Sequence, residues 1–148
     1  MAQDLGPDGL KDPFSLFSYL VPTGGRVLIT GDEPRGALTR LGYALEETKK
    51  DLRLSSLEPE LLDAIWWETA NAKYSIEDAF RILQTLFRGL RPHQGVLVLS
   101  FTHEKQARTL EHNPWNTRTV MTVLRQSGFQ LFHTFESSDA HLYFCQRI

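Results

Sequence analysis

The residues best suited to chemistry fall in four short groups. Gly31-Asp32-Glu33-Pro34-Arg35-Gly36 follows an apolar run and mixes two glycines with side chains of both charges. Glycine lets backbone N–H groups approach a ligand closely, so Gly31, Asp32 and Glu33 are candidates for cofactor binding. An ordinary strand-to-helix turn has the same look. Glu46 and Glu47 offer adjacent carboxylates, each able to accept more than one hydrogen bond. Trp66-Trp67-Glu68 places two indoles before an acid; an indole can stack on a flat ring, while Glu68 can orient an amine or take a proton. Alternation along a strand sends the two indoles to opposite faces, one into the core and one towards a crevice. His103, followed by Glu104, is the second acid–base candidate, although polar residues after a strand also suit a solvated loop.

Other chemistries lack their residues. The five histidines, His93, His103, His112, His133 and His141, show no metal-ligand spacing with one another or with Cys145, so no metal is expected. Neither a Gly-x-Ser-x-Gly elbow nor a Gly-Lys-Ser/Thr phosphate loop occurs. A net charge of -2 gives no electrostatic footprint for nucleic acid. Apolar runs such as Val96 to Leu99 are too short to cross a bilayer, and Asp4, Asp8 and Asp12 are unlike a basic export signal. With a single cysteine that cannot form an internal disulfide, a cytoplasmic protein is expected.

At 148 residues, with 41% hydrophobic and 23% charged side chains, one hydrophobic core accounts for the chain. Residues 1–12 read as a leader without periodicity, and 13–148 as one domain. Phe14, Phe17 and Leu20 recur at helical spacing behind Asp12 as cap and Pro13 in the first turn. Val27-Leu28-Ile29 and Val96-Leu97-Val98-Leu99 have the uninterrupted apolar character of parallel strands buried on both faces. Leu62 to Trp67 makes a third such strand. Ala37, Leu38 and Leu41 suggest a short helix, and Tyr43 to Glu47 a short strand. Leu52, Leu54 and Leu57 suggest a further extended segment, and the strand count between Tyr43 and Leu57 stays open.

Ser75 caps the clearest helix, whose apolar face runs through Ile76, Ala79, Phe80, Leu83, Leu86, Phe87 and Leu90 and needs a sheet to cover. Thr117 to Ser127 is another helix, with Val120, Val123 and Leu124 inward and Gly128 as its left-handed stop. Phe129 to Glu136 and His141 to Arg147 then form an antiparallel hairpin.

This order of elements resembles the class I S-adenosylmethionine-dependent methyltransferases. Pro22-Thr23-Gly24-Gly25-Arg26-Val27-Leu28 looks like that family's approach to its first strand, and Asp63-Ala64-Ile65-Trp66 like its fourth. Leu90-Arg91-Pro92-His93-Gln94-Gly95-Val96-Leu97 is similar to the turn into its fifth strand, and Ser127-Gly128-Phe129 to the junction before its final hairpin. The resemblance implies a Rossmann-like α/β fold, with a mainly parallel sheet, a C-terminal antiparallel hairpin and a ligand crevice at the carboxyl ends of the central strands.

It also implies S-adenosylmethionine as cofactor, with Glu46, preferred over Glu47, holding the two ribose hydroxyls, Trp66 or Trp67 as a pocket wall and a small-molecule acceptor. The chain departs from the pattern in the cofactor loop. Ile29 stands where the family has an acid, Glu33 and Arg35 stand where it has small residues, and the path from Val27 to Asp63 is short. Two functions follow: a methyltransferase-like protein with catalysis weakened or lost, or a non-catalytic scaffold that binds a protein partner.

Overall fold

The computed structural model describes residues 12–31, 34–47, 57–68, 75–102, 117–136 and 140–148. Its elements in order are α1 (Pro13–Leu20), β1 (Arg26–Ile29), α2 (Arg35–Arg40), β2 (Ala44–Glu47), β3 (Ala64–Glu68), α3 (Ile76–Gly89), β4 (Val96–Thr102), α4 (Thr117–Gln126), β5 (Phe129–Glu136) and β6 (Ala140–Arg147). The expected leader, apart from Asp12, lies outside the described residues, as do Asp32, Glu33, His103 and the segment from Leu52 to Ser56.

The strands form one sheet in the order β2-β1-β3-β4-β6-β5. The first four are parallel, and β6 enters antiparallel between β4 and β5. The expected mainly parallel sheet with a terminal antiparallel hairpin is therefore present. The chain passes from β1 outward to β2, then returns across β1 to β3. The sheet consequently has a switch point between β1 and β3, where neighbouring connections leave in opposite directions and open a crevice at the carboxyl ends.

Two cores cover the two faces. On one, Val27, Ile29, Ala64, Trp66, Val96, Val98 and Phe144 meet Leu16 and Phe17 of α1 and Leu38 of α2. On the other, Leu28, Ile65, Trp67, Leu97 and Leu99 meet α3 and α4. Burial on both faces is why these strands read as continuous apolar runs. Each fully buried Leu, Ile or Phe contributes roughly 1.5–3 kcal/mol by leaving water.

Local signals set the helix ends. Asp12 Oδ1 accepts from the Phe14 N–H at 3.0 Å, and Ser75 Oγ accepts from the Asp78 N–H at 3.1 Å. The apolar face of α3 differs in detail from the sequence expectation: Ile76 is exposed and Ile82 is buried. Ile76 is the first residue of the helix. After α4, Gly128 has φ +95°, and a Cβ there would fall 2.6 Å from the Phe87 ring. Conformation and packing both require glycine at that stop.

Edge strand β5 carries a register shift between Leu131 and His133, opposite Cys145 and Phe144. The extra residue, Phe132, is 51% exposed. Through this bulge Leu131 packs against the core under α3 and α4, whereas Phe135 packs against the opposite core.

Candidate functional site

The sheet's alternation gathers a row of chemically active residues at the switch point. Ile29 pairs with Trp66, so Gly31 stands level with Glu68 two residues further on, and Glu68 pairs with Ser100 on β4. Because registered neighbours point to the same face, Gly31, Glu68 and Ser100 line the α1/α2 side at the carboxyl end. Below them the same columns are apolar: Ile29, Trp66 and Val98. Glu47 pairs with Ile29, one step lower on β2.

Glu68 reaches across the switch point. A Cβ built on Gly31 would collide with the Glu68 carboxylate, so glycine's missing side chain leaves the space that this carboxylate fills. Thr30 fixes the base of the arrangement, its Oγ1 accepting from the Glu68 backbone N–H at 2.9 Å. Gly31 is thus a point of close approach between β1 and β3, and Glu68 is the group in contact with it.

The two glutamates of β2 differ by face. Glu46 points to the α3/α4 side, where its Oε2 accepts from Arg26 Nε at 2.7 Å. It is occupied by its own neighbour on β1 and turned from the crevice side. Glu47, the last residue of β2, lies on the crevice side and pairs with Arg35 at the start of α2, 2.6 Å apart. Glu46 was the preferred carboxylate; by this alternation the β2 carboxylate on the Gly31 face of the sheet is Glu47.

Both tryptophans are only 3% exposed. Trp67 belongs to the core beneath α3 and α4. Trp66 is on the crevice side, but Phe14 of α1 stacks on it with ring centroids 5.3 Å apart and planes 13° from parallel, and Phe17 approaches at 5.7 Å. The stacking surface expected for a ligand is taken by α1. Its indole N–H is buried without a hydrogen-bond partner among the described residues.

Of the other candidates, Asp32, Glu33 and His103 lie outside the described residues. No group of three His, Cys, Asp or Glu side chains among the described residues could hold a metal.

No protein-family model and no curated protein matches the chain by sequence. Solved structures do match in shape. A TehB-like SAM-dependent methyltransferase from Corynebacterium glutamicum superposes with a TM-score of 0.69 at 16% identity, over 91% of this chain and 86% of that one. A SAM-dependent methyltransferase from Aquifex aeolicus gives 0.69 at 14% identity, over 94% and 91%. A putative methyltransferase from Haloferax volcanii, solved in complex with the Trm112 methyltransferase activator, gives 0.63 at 14%, over 86% and 84%.

The chain has a class I methyltransferase-like fold. On this methyltransferase-like scaffold the crevice carries three residues that sequence reasoning undervalued. Glu47 was visible as the alternative to Glu46, and its face needed the β1–β2 register to be known. Arg35 was noted only as a bulky departure, without its partner. Ser100 closed an apolar run and was read as part of a strand, with no signal that its neighbour would be Glu68. Among the described residues no helix is long and apolar enough to cross a membrane.

Proposed function

We propose that this methyltransferase-like protein binds S-adenosylmethionine, or the adenosyl product left after transfer, at the switch point, and that its catalysis is weakened or lost. The observation that carries the proposal is Glu47, the last residue of β2, whose carboxylate lies on the same face of the sheet as Gly31. A nucleoside needs both features: a carboxylate for the two ribose hydroxyls, and a glycine against which the ligand can lie. When bound, S-adenosylmethionine supplies a sulfonium-activated methyl group.

The chain's own work would be to hold, orient and exclude water. Glu47 takes the ribose after exchanging its bond to Arg35 for bonds to the hydroxyls. Glu68 faces an acceptor as orienting group or base. Methyl transfer asks little more of a protein than alignment and desolvation. The acceptor class is a small molecule, in a cytoplasmic setting.

Calorimetric titration with S-adenosylmethionine and S-adenosylhomocysteine tests this reading. Saturable heat, with a matching rise in melting temperature, is expected, because a ligand that binds only the folded state stabilises it. No heat and no thermal shift at millimolar ligand would overturn it.

A second reading, a protein-binding scaffold without catalysis, is favoured by the internal partners already in the crevice: Arg35 on Glu47 and Glu68 on Gly31. The Haloferax volcanii neighbour, solved with an activator protein, supports association as a use of this scaffold. Light scattering of the purified chain, alone and with candidate partners, separates the two readings.

A further inference from the structure

We propose that the outer face of α4 is a docking surface for an acidic helical segment of a partner protein, held by Arg118, Met121 and Arg125. Val120, Val123 and Leu124 of this helix face the core. Helical periodicity therefore turns Arg118, Met121, Thr122 and Arg125 outward in one stripe. Both arginines are exposed, as is Met121 at 36%. Thr122 folds back on the helix, its Oγ1 donating to the Arg118 carbonyl at 2.9 Å. Met121 thus stands between two guanidiniums rooted about 10 Å apart along the helix axis.

A solvated helix face ordinarily mixes charges, and α3 follows that pattern, with Glu77 and Asp78 one turn before Arg81. α4 covers the same core, yet no acidic residue occurs from Thr117 to Gln126. The positions three and four residues from its arginines are Pro114, Trp115, Met121, Thr122, Gly128 and Phe129, none of them able to neutralise a cation. Among the described residues neither guanidinium forms an ion pair. The helix dipole accounts for Arg125 in the last turn but opposes Arg118 in the first. Arg118 is therefore held at a cost to the helix.

The group that complements this stripe is a carboxylate. A guanidinium meets a carboxylate through two parallel hydrogen bonds, and arginine with methionine is the composition enriched where proteins meet. A nucleic-acid backbone needs more cations than these two and would approach a chain of net charge -2. A lipid surface needs the apolar side of the helix, which in α4 is buried in the core. The matching segment is a helix with carboxylates seven residues apart and an apolar side chain between them to cover Met121. Docking here rests on the protein-association reading above and adds to it the surface and the partner's chemistry.

The probe is a fluorescein-labelled helical peptide with two glutamates seven residues apart and leucines between them, titrated with the full chain and read by anisotropy. Saturable binding is expected, weakened about tenfold by Arg118→Glu with Arg125→Glu and regained when lysines replace the peptide's glutamates. Arg81→Glu on α3 leaves affinity unchanged. Because all three sites are exposed, melting temperatures should stay within about 2 °C of the parent. If the doubly reversed chain folds poorly, Arg118→Gln with Arg125→Gln takes its place, with a loss of the same sign. No saturable binding, equal binding by the reversed chain, or tighter binding of poly(U) RNA or phosphatidylserine vesicles would overturn the docking surface. Self-association in light scattering that the reversal abolishes would also overturn it, by making a second copy the occupant. A partner protein whose binding survives the reversal would remove this surface and leave the association reading standing.

Discussion

The two ends of the parallel sheet are built from different kinds of interaction. At the amino end, polar groups are tied to the backbone. Asp63 accepts from the Arg26 N–H at 2.8 Å through Oδ2 and from Arg91 Nε at 2.9 Å through Oδ1, thereby joining the starts of β1, β3 and β4. Arg147 closes the end of α3, donating through one nitrogen to the carbonyls of Phe87, at 2.9 Å, and Leu90, while its guanidinium lies 4.2 Å above the Phe87 ring. At the carboxyl end, the Glu47 carboxylate reaches a side-chain cation, and the Glu68 carboxylate fills the space beside Gly31. A bond between a side chain and the backbone is fixed by the fold. One between two side chains can be exchanged for a ligand.

The largest effect on stability should therefore come from the amino end. Asp63→Ala leaves the Arg26 N–H without its acceptor and removes the partner of Arg91. Arg91 is nearly half exposed, so the ion pair adds little and the charged backbone bond dominates. A loss of about 2 kcal/mol is expected, read as a lower urea midpoint with an unchanged slope. A loss no greater than that of Glu47→Ala would break the contrast between the two ends.

At the carboxyl end the same kind of truncation should act on ligand rather than on folding. The Arg35–Glu47 pair is substantially exposed on both sides, so removing it should change stability by less than about 1 kcal/mol. Glu47→Ala is expected to weaken S-adenosylhomocysteine binding at least tenfold, and Arg35→Ala to strengthen it by freeing the carboxylate. Glu46→Ala should leave affinity unchanged because its partner is Arg26 on the other face. If Glu46→Ala weakens binding and Glu47→Ala does not, the face assignment fails.

The same contrast explains what the sequence made legible. The phrases that suggested the fold were Pro22 to Leu28, Asp63 to Trp66, Leu90 to Leu97 and Ser127 to Phe129, and within the first three Gly25-Arg26, Asp63-Ala64 and Arg91-Pro92 meet at the amino end. Gly25 is packed there so closely that a Cβ would fall 2.9 Å from the Pro22 carbonyl and 3.0 Å from Asp63 Oδ2. Such contacts constrain residue type locally and therefore leave a readable pattern. The crevice depends on register between strands distant in sequence. Whether Glu46 or Glu47 faces Gly31 is decided by pairing β1 with β2, and Ser100 acquires meaning only once β4 lies beside β3. The position of β6 between β4 and β5, and the bulge at Phe132, were likewise invisible because a hairpin has no intrinsic preference for which strand enters the sheet first.

A smaller effect, on the alkaline side, sharpens the comparison. Tyr43 precedes β2 and donates from its hydroxyl to the Val21 carbonyl at 2.8 Å, with the edge of Phe17 against its ring. Burial raises its pKa above 10.0, and a hydrogen bond with Ser18 offsets part of that rise. Burial also raises the Cys145 thiol well above 9.0. In both cases the folded chain retains a proton that the unfolded chain releases. Their contribution is complete below those ordinary values and declines as pH climbs through the folded ones. Stability should thus begin to fall near pH 9 and fall more steeply past 10. Tyr43→Phe removes the phenolic part of that slope while losing the bond to Val21, about 1 kcal/mol at neutral pH. Urea titrations of both proteins between pH 8 and 11 measure the difference. Equal slopes would show that the phenol at the start of β2 is not held in its protonated form by the packing of α1, and that the firmness assigned to the amino end stops short of that helix.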